Sequence, residues 1–374
     1  GETSGKNAII VTPSADPDLA VRDIVHSAFA HAGQKCSASS LLILVGSAGR
    51  SARIARQLVD AAASLRVGLP ASLDSQVGPV VVPDDEKAVR GLTTLGEGEH
   101  WVLTPRYLGD GLWTPGIRAG VVPGSEFHLT EYFAPVLGVM RVDTLEDAID
   151  AVNEVDYGLT SGLHTLDSAE LATWLEGIEA GNLYVNRGIT GAIVRRQPFG
   201  GWKRSAIGST TKAGGPSYLL GLGDIESVPG ATAAVEATNA ETLAPSVLAL
   251  SGAAAPYLSA DEAAELTRAV RADAAAWASD YGANRDVTGM ACERNVLRYR
   301  PTPVLVRAGS GTPLVDTVRV LAAGLLAGGP IGLSVADELP ASVRELLEGW
   351  DIEVVVEDAH SWDSRLAMVA NSGG

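Results

Sequence analysis

Two residues near the start of the chain could do chemistry together. Cys36 follows Lys35, and a neighbouring cation favours the thiolate, the nucleophilic form of cysteine. Glu2 stands 34 residues earlier, among small residues and directly before an apolar stretch, which suits a carboxylate that faces a pocket. The pair predicts a sulfur nucleophile and a carboxylate that face one cavity. Each alone also fits a plainer interpretation, because a free cysteine is commonly inert and Glu2 could be an exposed residue at a frayed terminus.

The elements around Cys36 are predicted to hold it firmly. Residues 8–11 are typical of a short buried strand, and Pro17 begins a helix with apolar residues at helical spacing. Gly33 is placed to end that helix in a left-handed conformation. Residues 41–45 form the next predicted strand. Cys36 therefore falls in a short loop that is fixed at both ends.

The rest of the chain alternates between strand and helix patterns. Extended segments are predicted at 76–82, 101–104, 135–142, 183–186, 298–306, 331–335 and 352–356, and helices at 60–67 (its end), 144–153, 259–281, 318–327 and 342–348. A glycine-rich loop is predicted at 188–215. This alternation indicates an α/β fold with a largely parallel sheet.

Composition limits the classes of function. The chain has 374 residues and a net charge of −17, which predicts two or three domains and disfavours nucleic acid as a partner because phosphates would repel it. Two cysteines, Cys36 and Cys292, are too few for a disulfide framework or a structural zinc site. They suit a reducing, cytoplasmic setting. The longest uncharged apolar run, 320–336, contains four glycines and a proline, so no transmembrane segment is predicted.

The composition changes near residue 226. Residues 227–258 are rich in Ala, Thr, Ser and Pro, which predicts a linker. The predicted domains are therefore 1–226 and 259–374, the second a smaller α/β unit that a capping box at Ser259 and Glu262 opens.

Four segments resemble the motifs of the aldehyde dehydrogenase superfamily. Residues 2–6 (ETSGK) are similar to its glutamate motif and residues 29–36 (FAHAGQKC) to its cysteine motif. Residues 131–135 (EYFAP) resemble the segment whose glutamate holds the nicotinamide ribose. Residues 198–201 (PFGG), with Ser205 and Gly208, resemble the loop that closes the catalytic domain. The resemblance implies the family's catalytic domain, a three-layer unit with a parallel sheet, ahead of a Rossmann-like C-terminal domain.

The resemblance also implies roles for particular residues. Cys36 would attack an aldehyde, and its own backbone N–H would stabilise the oxyanion of the thiohemiacetal. Glu2 would activate the water that hydrolyses the resulting thioester. Glu131 would hold the ribose of NAD, with Phe133 against the nicotinamide.

Residues 181–198 resemble the branch that oxidises L-glutamate γ-semialdehyde, the open form of 1-pyrroline-5-carboxylate, in proline catabolism. In that branch the turn here formed by Gly191 and Ala192 offers backbone N–H groups to the substrate α-carboxylate, and Ser37 assists. Successive amides of this kind form an anion nest. Without the resemblance, residues 190–192 are equally typical of a plain flexible turn.

The second block resembles a degenerate copy of the superfamily's cofactor domain, as found at the C terminus of the longer proline utilisation A proteins. Ser334 stands where the adenine-ribose lysine is expected, and residues 307–311 lack the expected Trp-Asn pair. The resemblance implies a lid or assembly role in place of NAD binding. Cys292 is expected to be an ordinary thiol.

The family's cofactor domain precedes the glutamate motif, whereas this sequence begins one residue before Glu2. Residues 1–226 contain no glycine-rich phosphate loop that opens a helix. We therefore expect a fragment of a larger protein, with an incomplete NAD site and no activity by itself. FAD is expected only if a proline dehydrogenase domain precedes it.

Two alternatives remain open. The chain could be a non-catalytic lid and oligomerisation module, or it could belong to an aldehyde dehydrogenase for another semialdehyde, such as succinate or methylmalonate semialdehyde. In the enzymatic interpretation its partners are a small aldehyde substrate and further copies of the full-length protein in a homo-oligomer.

Overall fold

A computed structural model describes residues 4–208, 212–224, 226 and 243–372. The chain divides into two compact units, Gly1–Glu226 and Ser227–Gly374. None of the helices within the described residues is long and apolar enough to cross a membrane.

The first unit alternates strands and helices along the chain. Its strands are β1 (Asn7–Val11), β2 (Ser39–Val45), β3 (His100–Leu103), β4 (Tyr107–Gly109), β5 (Leu112–Trp113), β6 (Gly116–Val121), β7 (Val136–Val142), β8 (Tyr157–Gly158), β9 (Thr160–His164), β10 (Asn182–Val185) and β11 (Trp202–Lys203). Its helices are α1 (Pro17–Phe29), α2 (Ala52–Ala63), α3 (Glu86–Thr93), α4 (Glu126–Leu129), α5 (Leu145–Asn153) and α6 (Ser168–Gly177).

Seven of these strands form one sheet in the order β10-β9-β1-β2-β7-β6-β3. Neighbouring strands are parallel except β3, which is antiparallel to β6. Successive residues of β1 enter opposite cores: Ile9 and Val11 pack with α1 and α2, whereas Ala8 and Ile10 pack with α5 and α6. Burial of both faces explains why these strands are apolar throughout. The predicted α/β fold with a parallel sheet between two helical layers is confirmed.

The second unit is a smaller α/β unit. It contains helices α7 (Pro245–Ala254), α8 (Ala260–Ala276), α9 (Leu314–Ala327), α10 (Ala341–Gly349) and α11 (Ala359–Ser372), and strands β12 (Arg285–Asp286), β13 (Val296–Leu297), β14 (Val304–Ala308), β15 (Ile331–Val335) and β16 (Val354–Val356). Strands β14, β15 and β16 are parallel and adjacent in that order. The capping box predicted at Ser259 and Glu262 begins α8.

Three predictions about local structure are wrong. The part of the predicted linker that the structure describes, 243–258, is mostly helical, and Val247 and Leu250 of α7 are buried in the core of the second unit. Alanine-rich composition fits a packed helix as well as a linker. Residues 76–82 form no strand, only an isolated bridge at Val77. Helix α1 ends at Phe29 and not at Gly33, because a short turn with positive φ at His31 follows it.

Candidate active site

The motif segments lie at one edge of the large sheet. Residues 4–6 precede β1, residues 35–38 precede β2, and residues 131–135 precede β7. Because these three strands are parallel, the segments before them meet at the amino-terminal edge. Ligands of open α/β sheets usually bind at the opposite, carboxyl edge, so strand order alone does not predict this location.

Gly5 lies between the cysteine loop and Glu131. Its N–H donates a hydrogen bond to Glu131 Oε1 at 3.1 Å. A Cβ at Gly5 would lie 2.5 Å from the carbonyl oxygen of Cys36, a distance at which only glycine fits. The first three motifs therefore contact one another through a single glycine.

A second glycine brings the cysteine loop against residues 131–135. Gly33 has a φ of +67°, and a Cβ there would lie 2.3 Å from the carbonyl oxygen of Ala134. The left-handed conformation predicted for Gly33 is thus observed. Its function is the close approach of two loops and not the end of α1.

Ser205 connects the fourth motif to the first. Its fully buried hydroxyl donates to the carbonyl oxygen of Ser4 at 2.6 Å and accepts from the N–H of Gly158 at 3.1 Å. Asn182 holds the same loop, since its side chain bonds the backbones of Pro198 and Gly200. The loop closed by residues 198–205 therefore fixes the segment that follows Glu2 in sequence. Glu2 itself lies outside the described residues.

Lys6, the last residue of this segment, has a buried side chain. Its ammonium lies 4.0 Å from the centre of the Phe127 ring, and the Arg118 guanidinium lies 4.1 Å from the same ring. Burial, followed by repulsion from Arg118, lowers the pKa of Lys6. No hydrogen-bond acceptor for Lys6 Nζ is found within the part of the chain that the structure describes, so the aromatic face is its main contact.

Glu131 and Phe133 border a crevice that is open to solvent. Lys35, Ala38 and Gly5 contribute other parts of its wall. Phe133 is 39% exposed and holds a φ of +54°, which is unusual for a bulky residue. A carboxylate beside an exposed aromatic ring, next to the cysteine loop, fits the ribose and nicotinamide end of NAD.

The surroundings of Glu131 disfavour the ionised form of its carboxyl group. Burial is the larger cause and raises the pKa of Glu131, while the hydrogen bond from Gly5 N–H and that from Ser4 oppose the rise. A half-buried carboxylate whose desolvation is only partly compensated by hydrogen bonds is typical of a functional group. Cys36 is half-buried.

The predicted substrate turn follows β10. The N–H of Ile189 donates to Ser27 Oγ, near the end of α1, at 3.1 Å. This bond places Ile189 beside the end of α1 that leads into the cysteine loop. Gly191 is exposed with a φ of +80°, and Ala192 follows it. Ser37, in contrast, is buried; the carboxylate-binding role of all three residues stays a prediction.

Sequence reasoning missed the residues that hold these loops in place, above all Asn7 and Thr160. Asn7 is buried and bonds the cysteine loop. A polar residue at the head of an otherwise apolar buried strand was the available signal, because a buried amide requires hydrogen-bond partners.

Polar groups also gather at the strand ends of the second unit. Arg307 donates to Ser334 Oγ at 2.6 Å, and that hydroxyl donates to Glu357 Oε1 at 2.6 Å. Arg365 pairs with the same carboxylate. These groups bond each other, and Ser334 is fully buried, so the position of the expected adenine-ribose lysine offers no exposed polar group.

The comparisons with known proteins cover both units. Residues 1–222 match the model of the aldehyde dehydrogenase family. A 1-pyrroline-5-carboxylate dehydrogenase of Geobacillus sp. (strain WCH70) is 36% identical over 222 residues, 59% of this chain and 42% of that protein. The chain therefore spans less than half the length of this curated relative.

Two of the solved structures that this chain resembles are informative. Proline Utilization A (PutA) from Corynebacterium freiburgense aligns with a TM-score of 0.78 and 43% identity over 96% of this chain and 37% of that one. The 1-pyrroline-5-carboxylate dehydrogenase from Thermus with bound NAD aligns with a TM-score of 0.53 and 38% identity over 59% of this chain and 42% of that one. With four motifs interlocked at one sheet edge and a family match over most of the first unit, the chain belongs to the aldehyde dehydrogenase family.

Proposed function

We propose that the complete protein containing this chain oxidises L-glutamate γ-semialdehyde to L-glutamate with NAD, as a step of proline catabolism. The observation that carries the proposal is the convergence of Gly5, the Cys36 loop, Glu131 and Ser205 at one edge of the sheet. The names of the Geobacillus and Thermus relatives support the choice of substrate.

The chemistry assigns one task to each group. The Cys36 thiolate adds to the aldehyde carbon, and the backbone N–H of Cys36 donates to the oxyanion that forms. When bound, NAD supplies the hydride acceptor, with Glu131 toward the ribose hydroxyls and Phe133 toward the nicotinamide. Glu2 removes a proton from the water that hydrolyses the thioester on Cys36, which releases the carboxylate product.

Substrate selection is assigned to residues 190–192. The exposed Gly191 can direct backbone N–H groups toward the α-carboxylate of the substrate, together with Ala192, and Ser37 assists. A nest of this kind distinguishes glutamate γ-semialdehyde from aldehydes that lack a carboxylate at that distance.

Formation of NADH by the protein expressed from its complete reading frame tests the proposal. We expect kcat/KM for glutamate γ-semialdehyde to exceed that for succinate semialdehyde and methylmalonate semialdehyde by at least about 100-fold. A higher kcat/KM for either of the other two aldehydes would show that glutamate γ-semialdehyde is not the preferred substrate. Folded protein that forms no NADH with any of the three and gives no heat when NAD is titrated into it would reject the enzymatic proposal in favour of a lid or assembly module.

For the second unit we propose a lid or assembly role, and for the complete protein a cytoplasmic homo-oligomer. The mutual pairing of Arg307, Ser334, Glu357 and Arg365 supports a unit without chemistry of its own. Light scattering of the complete protein, with and without residues 243–374, tests whether this unit is required for assembly.

A further inference from the structure

Asn7 is a buried amide between β1 and the loop that carries Cys36. It is 3% exposed and begins a strand whose other residues are all apolar. Its Nδ2 donates to the carbonyl oxygens of Cys36 at 2.8 Å and Ala38 at 2.9 Å, and its Oδ1 accepts from the N–H of Thr160 at 3.0 Å. Both donors and the acceptor of the amide are therefore engaged.

The strand pairing is irregular at the same point. Asn7 pairs with Ser39 of β2, but Ala8 pairs with Leu41, so Ser40 has no rung of its own. A bulge of this kind interrupts the backbone ladder. The side chain of Asn7 supplies hydrogen bonds to the loop just before the interruption.

The carbonyls of the cysteine loop are each fixed by one partner. The N–H of Ala38 bonds the carbonyl of Lys35 at 2.9 Å, Asn7 bonds that of Cys36, and Thr160 Oγ1 bonds that of Ser37 at 3.5 Å. Because a trans peptide is planar, a fixed carbonyl also fixes the N–H of the following residue on the opposite side. These bonds therefore set the directions of the amides from Cys36 to Ala38.

We propose that Asn7 is a positioning residue for the nucleophile. Its bond to the Cys36 carbonyl fixes the peptide on the carboxyl side of Cys36, and with it the Cα and Cβ from which the thiol projects. The inference rests on the proposed function only for the assignment of Cys36 as the nucleophile. An error of about 1 Å in such an arrangement costs roughly 100-fold in rate.

The test is Asn7→Asp in the protein expressed from its complete reading frame. Asp has the same shape and keeps the acceptor for Thr160 N–H, but it turns a carboxylate oxygen toward two carbonyl oxygens. We expect kcat to fall about 100-fold and KM for NAD to change less than about twofold. The pH midpoint for alkylation of Cys36 by iodoacetamide should rise, because a nearby negative charge disfavours the thiolate.

Asn153→Asp is the matched control. The Asn153 side chain also joins two backbone segments, donating to Gly177 O and accepting from Glu179 N–H, both at 2.9 Å, but neither belongs to the cysteine loop. We expect this variant to lose stability and to keep kcat and the alkylation midpoint. Thr160→Val, which removes only the bond to Ser37, should lower kcat several-fold.

Folded Asn7→Asp with kcat within twofold of the parent and an unchanged alkylation midpoint would overturn the inference. If Asp at this position prevents folding, Asn7→Ser is used, with the fall in kcat at unchanged KM for NAD as the readout. Alkylation needs no substrate, so a protein inactive on glutamate γ-semialdehyde that still shows the shifted midpoint would reject the proposed function and support this inference.

Discussion

Both units are α/β structures with parallel strands, but the polar groups described above at their strand ends have different partners. In the second unit Arg307, Ser334, Glu357 and Arg365 bond one another at the strand ends. In the first unit, side chains such as Asn7 and Ser205 bond backbone and leave Glu131 beside an open crevice. A shared fold class therefore does not imply a shared function; the difference here is whether these polar groups bond one another or border a cavity.

The pKa shifts of Glu131 and Glu357 differ in the same way between the two units. Burial raises the pKa of Glu131, so the folded first unit disfavours its charge. Hydrogen bonds from Arg365 and then Ser334 lower the pKa of Glu357, so the folded second unit favours its charge. An ionised group that lowers the stability of the folded state is typical of a functional site, and one that raises this stability is typical of a structural role.

The largest effect is expected from the nucleophile. Cys36→Ala should lower kcat by about 10⁴-fold or more, because no other group forms the thioester, while the affinity for NAD remains. Cys292→Ala, which removes the exposed thiol of the second unit, should leave kcat unchanged. Steady-state NADH formation and calorimetric titration of NAD measure both quantities. If Cys36→Ala retains turnover, Cys36 is not the nucleophile and the proposed mechanism is wrong.

The next effect is expected at the contact between motifs. Gly5→Ala would force a Cβ against the carbonyl of Cys36, which should displace the cysteine loop and lower kcat about 100-fold. Gly349→Ala is the control, since a Cβ there meets nothing within 4 Å. Equal kcat in both variants would show that the close approach is not required for catalysis.

Glu131→Gln and Glu357→Gln should have opposite effects on stability. At pH 7.5 Glu131→Gln should raise Tm, because it removes a charge that folding disfavours, and the gain should vanish below the unfolded pKa of about 4.3, where both forms are protonated. It should also raise KM for NAD about tenfold.

Glu357→Gln should lower Tm at pH 7.5. Its contribution is present above the unfolded pKa and is lost as the pH falls through the lowered folded pKa, so the difference from the parent should shrink only in strong acid. Thermal scans across pH measure both variants. Shifts of the same sign would contradict the contrast between the two units.

The smallest effect on rate is expected from a pair of buried serines. Ser205 and Ser334 are both fully buried and each makes two hydrogen bonds. Replacement of either by Ala should cost about 1–3 kcal/mol of unfolding free energy. Only Ser205→Ala should lower kcat, by several-fold, because it alone releases Ser4. A matching loss of kcat in Ser334→Ala would mean that the second unit takes part in the chemistry.

The sequence predicted strongly patterned elements well and their junctions less well. The run that became β1 and the box at Ser259 were recognisable because their local chemistry agrees with the fold. The prediction of a linker at α7 is wrong because small residues such as alanine occur in buried helices as well as in linkers, so their pattern does not reveal burial. The predicted end of α1 is wrong because His31 adopts a positive φ, which is uncommon for a residue other than glycine and is not predicted by residue type.

The sequence identifies candidate site residues, but it does not predict where in the fold the site lies. Motif resemblance selects Cys36 and Glu131, but it does not say that they meet at the amino-terminal edge of the sheet. Sequence reasoning missed Asn7 because its partners are backbone carbonyls 29 and 31 positions away. Every residue has a backbone carbonyl, so the order of side chains does not indicate which carbonyls Asn7 bonds.

The most direct test traps the covalent intermediate in the complete protein. Glu2→Gln should form the thioester but hydrolyse it slowly, so acid quenching after one turnover with glutamate γ-semialdehyde and NAD should leave a glutamyl group on the Cys36 peptide, detected by mass spectrometry. The account predicts one equivalent of NADH and an adduct at Cys36 alone. One equivalent of NADH with an adduct at another residue, or with none at Cys36, would contradict it.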